Sequence, residues 1–202
     1  MTEKKKFLDP NLENKSKTVE SRIQLFEYNG LKFPLPTEIE ISESGTCNRK
    51  CSFCPRSDPN FEDKKEFISN SLHEKLCNEL KDLDYRGTVR YSGFVEPMLD
   101  KNIYNLINMT RKIIPKSNIE MVTNGDPLNI NRLKKIFLSG LNKVLISVYD
   151  TEEDAVKFEK MCSEVGLKPD QYIIRRRYLP ESSDFGITLS NRAGLMENAE
   201  FK

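Results

Sequence analysis

No apolar run in the 202 residues approaches the length of a membrane span, so no membrane partner is expected. The first residues, Met1-Thr2-Glu3-Lys4-Lys5-Lys6, lack the apolar core of a signal peptide, and a cytoplasmic protein is expected. Neither sign of charge is in excess. The 32 basic and 31 acidic residues leave a net charge of +1, and that balance excludes a strongly electropositive nucleic-acid binder by composition. Tryptophan is absent and histidine occurs once, as His73. The mean hydropathy of −0.60 is low. Even so, 37% hydrophobic residues are enough for the core of one domain.

A disulfide framework is also missing. There are five cysteines, an odd number, and nothing points to an oxidising compartment. Cys77 and Cys162 stand alone in helical patterns and read as small core residues. The other three fall within eight residues, in Cys47-Asn-Arg-Lys-Cys51-Ser-Phe-Cys54. Clustered thiols in a reducing compartment hold a metal or do redox chemistry.

The chain divides into four parts by pattern. Residues 1–20 are charged and read as a flexible tail. Residues 21–36 read as a β-hairpin, because Asn29-Gly30 separates two alternating runs and both turn positions need positive φ. Residues 37–180 alternate strands and helices. Strands are expected at Glu38–Ser42, Thr88–Gly93, Ile119–Thr123, Lys143–Tyr149 and Tyr172–Tyr178. Helices are expected at Ser69–Leu83, with a stripe of Leu72, Leu76, Leu80 and Leu83, and at Asp100–Ile114, Ile130–Ser139 and Thr151–Val165. Residues 181–202 show no regular pattern. Each crossover is long enough for a βαβ unit, so the fold class is α/β with a parallel sheet, a barrel or partial barrel. Chemistry in such sheets sits at the C-terminal ends of the strands. The cysteine loop, Gly93-Phe-Val-Glu-Pro97, Thr123-Asn-Gly125 and Ser147–Asp150 all occupy that position.

Three thiolates on one loop leave one iron of a [4Fe–4S] cluster without a protein ligand, since such a cluster normally takes four cysteines. This spacing, after the first strand of a βα-repeat chain, resembles the radical S-adenosylmethionine (SAM) superfamily. The resemblance implies a partial (β/α) barrel in which Cys47, Cys51 and Cys54 hold the cluster and SAM chelates the open iron. An electron from a flavodoxin- or ferredoxin-like donor would cleave SAM to methionine and a 5′-deoxyadenosyl radical. That radical would abstract hydrogen from a small-molecule or peptide substrate. Phe53 matches the aromatic residue beside the adenine. Ser92-Gly93-Phe-Val-Glu96-Pro97 resembles the element whose acidic residue and backbone meet the SAM amino group, with Val95 where a glycine is usual. Thr123-Asn124-Gly125 resembles the end of strand three. Ser147-Val-Tyr149-Asp150 resembles the end of strand four, with one extra residue, and Ser147, Tyr149 or Asp150 would meet the ribose. Only one of Ser147 and Tyr149 is expected to reach the site. Arg175 or Arg177 would pair with the SAM carboxylate. Asn191-Arg-Ala-Gly194 is similar to the stretch that precedes an auxiliary-cluster domain in longer members, so the chain is expected to stop short of such a domain.

Two other functions fit the same residues. One is a glycyl-radical-type activating enzyme acting on a protein partner. The other is a non-catalytic iron–sulfur or zinc protein, for which His73 or Cys77 would have to supply the fourth zinc ligand. His73 lies off the leucine stripe and is expected at the surface.

Overall fold

Alternation along five short strands produces a sheet with two unlike faces. In the computed structural model, which describes residues 23–180, the strands that follow the hairpin are β3 (Glu38–Ile41), β4 (Thr88–Tyr91), β5 (Asn118–Thr123), β6 (Lys143–Val148) and β7 (Tyr172–Arg176). They pair in the order β3-β4-β5-β6-β7, every pair parallel, as an open sheet. Between them run α1 (Asn70–Asp82), α2 (Ile103–Ile113), α3 (Ile130–Leu138) and α4 (Glu152–Val165). The expected hairpin is present as β1 (Leu25–Tyr28) and β2 (Leu31–Pro34), with Asn29 and Gly30 both at positive φ. The Gln24 side chain fastens it to the core by donating to the Leu83 and Asp84 carbonyls and accepting from the Arg86 amide. The expected tail at 1–20, residues 21–22 and the irregular segment at 181–202 lie outside the described residues.

Ile39 and Ile41, Val89 and Tyr91, Ile119 and Met121, Val144 and Ile146, and Tyr172 and Ile174 share the helix-covered face and form the core with α2, α3 and α4. The opposite face carries Glu38 and Glu40, Arg90 and Ser92, Glu120, Ser147 and Arg175. Side chains from β3, β4, β5, β6 and β7 line one cavity on that face, so it is concave, as in a partial barrel. Local signals set the helix limits. Ser69 caps α1, Asn129 caps α3 and Thr151 caps α4, each accepting from an amide of the first turn. Helix α2 begins at Ile103 rather than at Asp100. Pro97–Leu99 form a 3₁₀ turn, and the Asp100 carboxylate accepts from the Asn102 amide, so these residues serve as the approach to the helix. Strand β7 ends at Arg176, two residues short of expectation.

The face of α1 is the main correction. Leu72 is half exposed, whereas His73 and Cys77 are buried. His73 is therefore a core residue and not a surface one. Its Nε2 pairs with the Tyr91 hydroxyl at 2.9 Å, that hydroxyl meets Thr110 Oγ1 at 2.7 Å, and Cys77 Sγ lies 3.5 Å from Thr110 Oγ1. His73 completes a buried polar cluster in which Tyr91 and Thr110 pair with one another and Thr110 donates to the Leu106 carbonyl. Burial holds the His73 imidazole below its ordinary range, so it is neutral at physiological pH.

Two buried charges have energetic consequences. Arg90 spans the concave face, giving 2.6 Å contacts to Glu38 on β3 and to Glu120 on β5. Removing one member of a buried charge group strands the others. Arg90→Met is expected to lower unfolding stability by about 3–5 kcal/mol in chemical denaturation, and an unchanged midpoint would refute the role given to this triad. Glu43, between β3 and the cysteine loop, is 1% exposed, and its Oε2 has no hydrogen-bond partner. Burial, reinforced by Asp100 and Glu96, pushes its pKa from 4.5 up to about 8. The folded state then holds a proton that the unfolded state has released, so this group makes stability fall as pH rises from about 4.5 to 8. His73 has the opposite sign, but its contribution is complete by about pH 6.5, its unfolded value. Between pH 6.5 and 8 the wild-type melting temperature should drop, and Glu43→Gln should flatten that drop. Parallel curves for the two proteins would count against it.

Candidate functional site

The loop from Cys47 to Cys54 crosses the C-terminal ends of the strands and roofs the concave face. A cavity of about 490 Å³ opens beneath it, a volume typical of small-molecule sites. Its lining includes Cys47, Cys51, Cys54 and Phe53 from the loop. Gly93 and Glu96 come from the end of β4, Thr123 and Asn124 from that of β5, Ser147 and Tyr149 from β6, and Arg175 and Arg177 from β7. Asp150 is not in the lining; its carboxylate is taken up by Arg49.

Glu96 is 1% exposed and ties two strand ends together. Its Oε1 accepts from the Thr123 hydroxyl at 2.7 Å and the Met98 amide at 3.0 Å, and its Oε2 from the Asn124 amide at 2.7 Å. Burial raises its pKa while these three donors oppose the rise. Three of the carboxylate's roughly four acceptor positions are thereby taken, and Oε2 has capacity for one more donor. Gly93 has φ +124°, and a Cβ there would stand 2.1 Å from Ser42 Oγ, so only glycine lets β3 and β4 close at the cavity wall. Ser147 and Arg175, expected as separate ligands, are joined across β6 and β7, with Arg175 Nε donating to Ser147 Oγ at 3.1 Å. Arg176 points the other way and pairs with Glu152 and Glu159 of α4.

Ser147 and Tyr149 both face the cavity, correcting the expectation that only one would. They are two residues apart and share one side of an extended chain. The Tyr149 ring packs on Phe53 with centroids 5.3 Å apart. Beneath the loop, Asn124 Nδ2 donates to Asn48 Oδ1 at 2.8 Å and lies 3.8 Å from Cys47 Sγ. Asn48, Arg49 and Asp126 were not singled out in the sequence, because a polar residue within a cysteine loop carries no local sign of its distant partners. Arg56, unlike these, is buried, donating to the Gly45 and Phe94 carbonyls at 3.1 Å and pairing with Asp63. It holds the base of the loop against the end of β4.

The donor set suits a multi-iron cluster. Three soft thiols stand on one loop beside a cavity. Among the described residues, no three His, Cys, Asp or Glu side chains are gathered tightly enough for a single ion, whereas a cubane distributes its thiolates over separate irons. His73 and Cys77, the candidate fourth zinc ligands, are engaged with Tyr91 and Thr110 and do not line the cavity. Burial pushes the Cys47 and Cys51 thiols up, so a cationic partner is needed to make them thiolates at neutral pH. None of the helices is long and apolar enough to cross a membrane, among the described residues.

Comparison with known proteins gives a consistent family. The S-adenosyl-L-methionine-dependent 2-deoxy-scyllo-inosamine dehydrogenase of Niallia circulans is 28% identical over 160 residues, covering 79% of this chain and 60% of that protein. A GTP 3′,8-cyclase of Clostridium botulinum is 32% identical over 123 residues, covering 59% of this chain and 37% of that protein. The crystal structure of BtrN in complex with AdoMet and 2-DOIA superposes with a TM-score of 0.67 at 25% identity, over 82% of this chain and 64% of that one. The chain thus spans less than two thirds of the length of these relatives. The model of the radical SAM superfamily matches residues 41–182, most of the strand-and-helix region, and the chain belongs to that superfamily.

Proposed function

We propose that this chain is the core of a radical SAM enzyme, in which Cys47, Cys51 and Cys54 hold a [4Fe–4S] cluster and SAM lies across the strand ends. The observation that carries the reading is the shared cavity, in which all three thiols face the strand-end residues. When bound, the cluster supplies the electron that cleaves SAM reductively, releasing a 5′-deoxyadenosyl radical for hydrogen abstraction. A flavodoxin- or ferredoxin-like protein would deliver that electron.

The chain's own residues position the reactants. Glu96 offers the free capacity of its carboxylate to the SAM ammonium, a charge-assisted contact. Gly93 lets the ligand approach the backbone. Arg175, held by Ser147, presents its guanidinium to the SAM carboxylate. Phe53 and Tyr149 provide an aromatic wall for the adenine. Thr123 and Asn124 hold Glu96 and Asn48 in place, so they act on the site through their neighbours.

The substrate we infer is a small polar molecule. Glu40, Ser42, Arg90 and Ser92 line the cavity below the loop, paired with one another or with Glu38 and Glu120, and this polar surface favours a molecule rich in hydroxyl or amino groups over an apolar one. The relative that covers 79% of this chain is a 2-deoxy-scyllo-inosamine dehydrogenase, which makes hydroxylated amino-cyclitols the first compounds to try.

Anaerobic reconstitution should yield a brown protein with about four irons per chain that forms 5′-deoxyadenosine from SAM after chemical reduction. Cys51→Ala should lose the iron, while Cys162→Ala, in the core, should keep it. Glu96→Gln should retain the iron and bind SAM about tenfold or more weakly. A colourless protein carrying one zinc per chain would overturn the proposal.

A further inference from the structure

Arg49 lies between two of the three clustered cysteines and reaches the ends of two strands at once. Its Nε and Nη2 meet the two carboxylate oxygens of Asp126, beyond β5, each at 2.6 Å. Its Nη1 and Nη2 meet those of Asp150, beyond β6, at 3.0 and 2.5 Å. The neighbouring Asn48 adds a 2.6 Å bond to Asp126. The guanidinium also sits over the Tyr149 ring, 5.6 Å from its centroid, and that ring packs on Phe53. Four of the five N–H donors of the fork are thereby used, and two carboxylates that repel one another are held by the same cation.

We propose that Arg49 is a positioning residue that latches the cysteine loop to the ends of β5 and β6, and that Asp150 acts on the site through Arg49 and not by touching SAM. The functional significance of the latch rests on the reading that this loop carries the cluster. Asp150 is paired above the cavity and absent from its lining, while Ser147 and Tyr149 of the same segment do line it. Arg49 fixes the backbone two residues from Cys47 and from Cys51, and its own amide donates to Cys47 Sγ at 3.4 Å. The three side chains are partly exposed, so the bridge adds little to global stability. Its effect is local: it limits the opening of a loop that has no strand or α-helix of its own to order it. Lysine, a single point charge on a flexible stem, cannot serve both carboxylates in this way.

The test uses the full chain with Arg49→Gln, Arg49→Lys, Asp150→Asn and the Arg49→Gln/Asp150→Asn double variant. Amide hydrogen exchange of residues 47–54 is followed first on cluster-free protein. Arg49→Gln should speed it about tenfold while the strands keep their protection. Arg49→Lys should not restore the slow rate. Asp150→Asn should give a smaller increase, and the double variant should match Arg49→Gln, because Asp150 has no route to the loop once Arg49 is gone. On reconstituted protein, Arg49→Gln should release iron faster on gel filtration, and Asp150→Asn should bind SAM, per loaded cluster, as the wild type does. Unchanged loop exchange in Arg49→Gln overturns the latch. Additivity in the double variant, or weakened SAM binding by Asp150→Asn with normal loop exchange, overturns the role given to Asp150. A wild-type protein that takes up no iron–sulfur cluster defeats the functional reading alone, since the exchange measurements still decide the latch.

Discussion

Five parallel strands with opposite chemistry on their two faces are the constraint from which the rest follows. One face, with Val89, Tyr91, Ile119, Met121, Val144 and Ile146, is covered by helices and supplies the core. The other carries Glu40, Arg90, Ser92, Ser147 and Arg175 into a cavity. Small closed barrels fill their interior with branched apolar side chains. A charged interior needs either an ion-pair lattice or a ligand, and this chain has both a lattice below and an open cavity above. Arg90 between Glu38 and Glu120 neutralises the floor.

At the strand ends, side chains add to the backbone pairing. Glu96 spans β4 to β5, Ser147 and Arg175 span β6 to β7, and Arg49 spans the cysteine loop to the ends of β5 and β6. Each link is charge-assisted, with a carboxylate accepting in the first and a guanidinium donating in the other two. The outcome is a cross-linked rim around a cavity whose loop roof is anchored at its base by the Ser44–Phe67 bridge and by the Glu96 amide donating to the Thr46 carbonyl. Preorganisation of this kind matters where a reactive species must meet one hydrogen atom and no other.

Partial coverage of the relatives bears on function more than on fold. The family model matches residues 41–182, which take in β4 to β7, the cysteine loop and all of the cavity lining but Glu40. Fold alone does not settle a substrate: the relatives of this chain include a 2-deoxy-scyllo-inosamine dehydrogenase and a GTP 3′,8-cyclase.

The amino-acid sequence by itself determined the alternation of strands and helices, the Asn29-Gly30 hairpin, the helix caps at Ser69 and Thr151, and the grouping of Cys47, Cys51 and Cys54. These depend on residues a few positions apart, where periodicity and turn chemistry act directly. Only the tertiary structure decided that His73 lies on the buried face of α1, that Ser147 is engaged by Arg175, and that Asp150 pairs with Arg49. In each case the partners are 18 to 101 residues apart in the chain. No local pattern encodes such a pair, because the sheet's register brings it together. A polar residue's role is then set by which neighbour satisfies it first.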